Sequence, residues 1–220
     1  MTVREHAART RLQSWVRVSC VARTLLTLGL LMAASACNVY AGSATTLKTT
    51  ELRDEPGWLW VDGVPELRQE HELDCGPTAL AMVLGYHAAE KPERVLAALP
   101  AEQRSQVTEL RDLAKRYGFN AFIVEGKPED LVYELKNKRP VIVGVAKPTV
   151  KSAVAHYEVV VGMHRDSQRV ATLDPAVGLR QNSFTGFLSE WQGSGRVLLV
   201  VIPKAKPTPE ATAGAAASQP

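Results

Sequence analysis

The chain of 220 residues contains only three cysteines, Cys20, Cys37 and Cys75. That is too few for a disulfide-stapled scaffold, and no second Cys or His pair stands at the spacing of a zinc site. No phosphate-binding loop of the G-x-x-x-x-G-K-[ST] type is present, and no dinucleotide fingerprint, so neither a nucleotide partner nor a cofactor is expected. No internal repeat occurs. An excess of one charge sign is also missing from the body of the chain. Of 26 basic and 23 acidic residues, residues 1–36 hold five arginines (Arg4, Arg9, Arg11, Arg17, Arg23) and a single acid, Glu5. The remaining 21 basic and 22 acidic residues nearly cancel. Nothing there suggests a nucleic-acid footprint. Apolar residues at 45% and charged residues at 22% are what a globular domain carries.

The basic N-terminal stretch leads into Thr24 to Ala36, an apolar run of 13 residues. It is short for a bilayer span, which takes about 20, and it ends in small residues. Residues 1–36 therefore read as an export signal. Ala34-Ser35-Ala36 fits an ordinary signal-peptidase site. Together with Cys37 it also resembles the bacterial lipoprotein box, with Ala34 where leucine is usual. The expectation is lipidation of Cys37; ordinary cleavage just before it and an uncleaved anchor are the alternatives. The resemblance implies an outer-membrane destination facing the periplasm, because Asn38 is not the aspartate associated with inner-membrane retention. Cys20 would leave with the signal. Cys75 would then be a lone thiol in an oxidising compartment, either reactive or a buried inert core residue.

Residues 37–57 are small and polar and read as a flexible tether, and residues 203–220 as a Pro/Ala-rich disordered tail. The body spans 58–202. Extended pieces are predicted at 58–61 and 64–67 around Asp62-Gly63. Helices are predicted at 75–89, 92–99, 107–117, 128–136 and 184–191, and strands at 119–124, 141–146, 156–163, 169–173 and 196–202. Helices come first and an antiparallel sheet follows, which argues α+β.

The informative run is Gln69-Glu70-His71-Glu72-Leu73-Asp74-Cys75-Gly76-Pro77. Cys75 opens an apolar helical stretch, where unpaired backbone N–H groups favour a thiolate. A nucleophilic thiol needs a base and a group to orient that base. His156 begins the strand His156-Tyr157-Glu158-Val159-Val160, and Asp174 ends the next one. A hairpin makes those two positions neighbours. Gln69, six residues before the cysteine, is a candidate oxyanion donor. Rival readings stand beside each residue: Gln69 as a solvated loop residue, Asp174 as a turn former before Pro175, Asp74 as a helix cap. His71 and His87 flank Cys75 but lack partners at metal-site spacing, so no metal is expected. His164 reads as a surface histidine, and Trp58, Trp60 and Trp191 as packing residues.

In that order, Gln69, Asp74-Cys75-Gly76-Pro77-x-Ala79-Leu80, His156-Tyr157-x-Val159-Val160 and Asp174-Pro175 resemble the double-glycine (bacteriocin-processing) cysteine peptidases, a papain-like group. The likeness covers roughly residues 64–202. It implies a papain-like fold, with N-terminal helices packed on an antiparallel sheet. It also implies Cys75 as nucleophile, His156 as base, Asp174 as its partner and Gln69 as oxyanion-hole donor. Members on peptide exporters are fused to membrane and ATPase segments and cut leader peptides after Gly-Gly. This chain, with its export signal and no phosphate-binding loop, resembles a free-standing exported branch, for which Gly-Gly specificity is not assumed. The expected function is hydrolysis of peptide or protein substrates in the cell envelope. Acyl transfer or amide hydrolysis at the same site, and a catalytically silent peptide-binding lipoprotein, are the alternatives.

Overall fold

A computed structural model describes residues 39–48, 52, 55–87, 92–98 and 106–204. The expected signal, Cys37 and residues 205–220 of the expected tail lie outside the described residues. The chain forms two units, one of Met1–Ala41 with Pro148–Ser152, the other of Gly42–Lys147 with Ala153–Pro220. In the smaller unit Tyr40 bridges Thr149, and the Val150 N–H donates to the Val39 carbonyl at 3.3 Å.

The larger unit carries five helices among the described residues: α1 (Cys75–Tyr86), α2 (Pro92–Ala97), α3 (Val107–Arg116), α4 (Pro128–Lys136) and α5 (Phe184–Gly193). Its strands are β1 (Thr45–Thr46), β2 (Trp58–Trp60), β3 (Phe119–Glu125), β4 (Val141–Pro148), β5 (Ala153–His164), β6 (Arg169–Asp174), β7 (Gly178–Ser183) and β8 (Val197–Pro203). One sheet takes the order β1-β7-β6-β5-β4-β8-β3, with β2 pairing onto β5. The β5–β6, β6–β7, β4–β8 and β3–β8 pairs are all antiparallel. The fold is α+β, as the order of elements in the sequence predicts.

Helices cover both faces of the sheet. Leu199 and Val201 of β8 face the core around α1 and α3, whereas Leu198 and Val200 face the core of α4 and α5. β4 divides the same way, Ile142 to one side and Val141, Val143 and Val145 to the other. These strands are continuous apolar runs because alternate side chains have a core on each side. Residues 75–84 of α1 are buried without a break, the mark of a central helix. Each fully buried Leu, such as Leu80 and Leu84, contributes roughly 1.5–3 kcal/mol relative to exposure.

Three expectations change. The expected tether over 37–57 contains β1, paired with β7 through Thr45↔Gln181 and Thr46↔Arg180, and Ser43 Oγ donates to Asn182 Oδ1 at 2.6 Å. The extended piece expected at 64–67 is no strand; Pro65 removes a ladder donor, and Val64 and Leu67 simply pack on the core. β7 was not foreseen, because Gly-Leu-Arg-Gln-Asn-Ser lacks the apolar alternation of a strand.

Candidate active site

Cys75 is the first residue of α1 and follows a single 3₁₀ turn, Glu72–Asp74. Its side chain is only 5% exposed. Burial raises the thiol pKa, yet the thiol is held below its ordinary value. The larger combined influence is a hydrogen bond to His156, the charge of that ring, and backbone hydrogen bonds at Tyr157 and Gly76.

His156 lies near the start of β5 and is buried. Its Nε2 meets Asp174 Oδ1 at 2.7 Å, which leaves Nδ1 as the nitrogen for the Cys75 thiol. Burial works against a charged imidazole, but the hydrogen bonds to Asp174 and Cys75 outweigh it and raise the His156 pKa to about 9. Asp174 is fully buried at the end of β6. Burial pushes its carboxyl up, and the His156 and Lys147 contacts pull it well below the usual carboxylate range. Oδ1 also accepts the Ala176 N–H at 2.8 Å. One oxygen of Asp174 thus both accepts the N–H that folds the Asp174–Gly178 turn and meets the imidazole. Gly178 has φ +89° and packs so closely on Arg68 and Glu66 that a Cβ would collide with them.

The same turn reaches Gln69, whose backbone N–H donates to the Pro175 carbonyl at 2.9 Å. The Gln69 side-chain Nε2 donates to the His71 carbonyl at 3.0 Å and lies 3.5 Å from that of Glu72. One amide hydrogen is therefore anchored to the loop leading into α1, and the contact of the second is marginal.

Behind Cys75, His156 and Asp174 lies a buried charge cluster. Two-residue alternation places Glu158 on the same side of β5 as His156. Glu158 accepts from Thr172 Oγ1 at 2.5 Å, from Lys147 Nζ at 3.1 Å and from Arg180 Nη1. Lys147 Nζ also contacts Asp174 Oδ2, and Arg180 Nη1 stands 3.6 Å from the same oxygen. Arg180 Nη2 approaches Glu190 Oε2 of α5 at 3.9 Å, and Glu190 Oε1 accepts from Asn182 at 3.1 Å. The cluster holds two cations and three carboxylates, so it becomes neutral when His156 carries a proton. Removing one partner from such a buried pair costs about 3–5 kcal/mol. Donor atoms of His156, Glu158 and Asp174 lie within 4.8 Å of one another, close enough to share a cation. The cation placed against both carboxylates is the Lys147 ammonium.

The other sequence candidates sit elsewhere. Asp74 precedes α1 but does not cap it with its side chain; Oδ2 instead accepts the His71 N–H at 3.3 Å. His71 is exposed, and His87 packs against Tyr86 and Phe119, its pKa lowered by burial. His164 is buried at 7% exposure, contrary to the surface position expected. Its Nδ1 accepts the Ser167 N–H at 3.2 Å, so Nε2 donates to the Pro56 carbonyl at 2.9 Å. Its position at the end of β5, where β2 pairs, encloses it. Trp191 is fully buried, and Trp58 and Trp60 pack against the core edge. Sequence reasoning passed over Lys147, Glu158 and Arg180. The available signal was Glu158, a charge embedded in the apolar run that follows His156.

Known proteins resemble this chain in sequence and in fold. The model of the Peptidase C39 family matches residues 64–206. The lactococcin-A transport/processing ATP-binding protein LcnC of Lactococcus lactis is 32% identical over 144 residues, 64% of this chain and 19% of that protein. The transport/processing ATP-binding protein ComA of Streptococcus pneumoniae is 30% identical over 128 residues, 57% of this chain and 17% of that protein. The chain therefore spans about a fifth of these relatives. Among solved structures, a C39-like peptidase from Bacillus anthracis superposes with a TM-score of 0.52 at 19% identity, covering 70% of this chain and 100% of that one. A double glycine motif protease from an AMS/PCAT transporter, in complex with its leader peptide, gives 0.51 at 24% identity, covering 64% and 93%. These two similarities show the fold. With the family model matching more than half of its length, the chain belongs to the peptidase C39 family of double-glycine cysteine peptidases.

Proposed function

We propose that this chain is a cysteine peptidase that hydrolyses peptide bonds outside the cytoplasm, tethered to a membrane by a lipid on Cys37. The supporting observation is the position of His156, hydrogen-bonded to Cys75 on one side and to Asp174 at 2.7 Å on the other. The Cys75 thiolate attacks the peptide carbonyl carbon, and a C–S bond forms. The charge moves to the carbonyl oxygen, which the Cys75 backbone N–H and the second Gln69 amide hydrogen receive. When the C–N bond breaks, the His156 imidazolium gives its proton to the departing amine. The neutral imidazole then takes a proton from water as the water oxygen attacks the thioester. Breaking of the C–S bond restores the thiolate–imidazolium pair. Asp174 keeps Nε2 engaged throughout, so that Nδ1 carries the traffic.

The relatives are named for transport and processing, and one structural neighbour holds a leader peptide. These names make an extended peptide segment the natural substrate to try. The test compares the termini of envelope proteins from cells carrying the wild-type chain and Cys75→Ala, and incubates purified protein with leader peptides that have or lack a Gly-Gly pair. New termini dependent on Cys75 support the reading; identical termini and no cleavage of any peptide overturn the peptidase. The anchor is tested separately, by mass spectrometry of the N-terminal peptide. A diacylglyceryl adduct on Cys37, lost in Cys37→Ala, is expected.

A further inference from the structure

The two oxygens of Asp174 have divided partners. Oδ1 serves His156 and the Ala176 N–H. Oδ2 faces Lys147 Nζ of β4 in direct contact and Arg180 Nη1 of β7 at 3.6 Å, which is beyond hydrogen-bond length. Lys147 thus holds the second oxygen of a carboxylate whose first oxygen is held by His156 and the Ala176 N–H, and so helps to fix its rotation. Lys147 is held in turn by Glu158 Oε1 at 3.1 Å, and its side chain is 14% exposed. An ammonium in this place also adds a positive charge beside the imidazole. Without it, His156 would face Asp174 and Glu158 with only Arg180 to offset them, and an imidazolium held so tightly is a poor acid toward the leaving amine.

We propose that Lys147, clamped by Glu158, is a positioning residue for the Cys75–His156 pair: it orients the Asp174 carboxylate and sets how readily the imidazolium releases its proton. This rests on the thiol–imidazole reading given above, but not on any particular substrate. The groups around His156 are Cys75 from α1, Glu158 on its own strand, Asp174 from β6 and Lys147 from β4, with Arg180 from β7 behind them, 3.6 Å from Asp174 Oδ2. Charge at Lys147 pushes the proton off His156, and the Glu158 carboxylate, with an oxygen within 4.8 Å of a ring nitrogen, holds it on by simple attraction. The two residues therefore act with opposite sign, which a purely structural role does not do.

The experiment measures the rate of Cys75 alkylation by iodoacetamide across acid to alkaline pH in the full chain. The Cys75 peptide is quantified by mass spectrometry, so that Cys20 and Cys37 do not contribute. In Lys147→Gln the alkaline limb, where His156 deprotonates, is expected to move up by about one pH unit. In Glu158→Gln it is expected to move down, and Lys147→Arg is expected to restore the wild-type limb. If one neutral variant does not fold, the sign found in the other decides. Limbs that coincide with wild type, shifts of the same sign, or unfolding of both neutral variants would overturn the proposal and leave Lys147 as a core counter-ion. A wild-type profile with no activated thiol would instead sink the Cys75–His156 pair itself, so the two failures are distinguishable.

Discussion

The two ends of β5 carry the same residue in similar burial and put it to different use. His156 and His164 are 9% and 7% exposed and eight positions apart on one strand. His164 donates to a backbone carbonyl, accepts a backbone N–H, and stacks edge-on against Trp58. Its hydrogen bonds are to neutral groups, and Glu55 is 3.8 Å away. His156 is bonded to a carboxylate and a thiol, and its pKa rises to about 9. Burial is common to both. What separates the two rings is whether their hydrogen-bond partners are ionisable side chains or peptide groups. A cavity of about 340 Å³ opens at the His164 end, lined by Pro128, Val132, Met163, Arg165 and Phe184 among others.

The contrast is sharpest under substitution. His156→Ala is expected to lower kcat/KM on a cleaved peptide by about 10²–10⁴-fold, while His164→Gln leaves it near wild type; comparable losses in both would dissolve the distinction. Asp174→Asn should cost less than His156→Ala. It should also shift the alkaline limb of activity to lower pH, because the carboxylate that holds the proton on the ring is gone. In the wild type that limb falls near pH 9 as His156 deprotonates, and a pH profile of kcat/KM checks it. The same group has a stability signature. Its folded pKa lies above the unfolded value of about 6.5, so its contribution is fully present below that pH and fades as pH rises through about 9. Denaturant melts of wild type and His156→Gln should converge at alkaline pH. The smallest effect is expected for His164→Gln, a loss of about 1 kcal/mol of folding stability from one buried hydrogen bond, read from the same melts.

How much of this the residues announce depends on whether a signal is local. Helices α3 and α4 have amphipathic spacing and clear stops, and the structure places them at Val107–Arg116 and Pro128–Lys136, within a residue of expectation. The β5–β6 hairpin is written as two apolar strands and a polar turn, which is why the pairing of His156 with Asp174 could be inferred across 18 positions. β7 carries no such mark. Arg180 and Asn182 are buried there because Glu158 and Glu190 meet them, and those acids come from other elements. Lys147 likewise follows an apolar run and reads as a solvated lysine until its two carboxylate partners are brought up by folding. A buried ion pair is a property of two distant residues together, and neither one of them signals it alone.

The five residues from Asp174 to Gly178 join strands β6 and β7, receive the imidazole through Asp174 Oδ1, and hold the Gln69 backbone through the Pro175 carbonyl. One tight corner thus serves as a shared jig for the two halves of the proposed chemistry, the ring partner and the segment that carries Gln69. Anyone grafting this machinery onto another sheet would have to carry the corner over whole, because lengthening it by a single residue would misalign both halves at once.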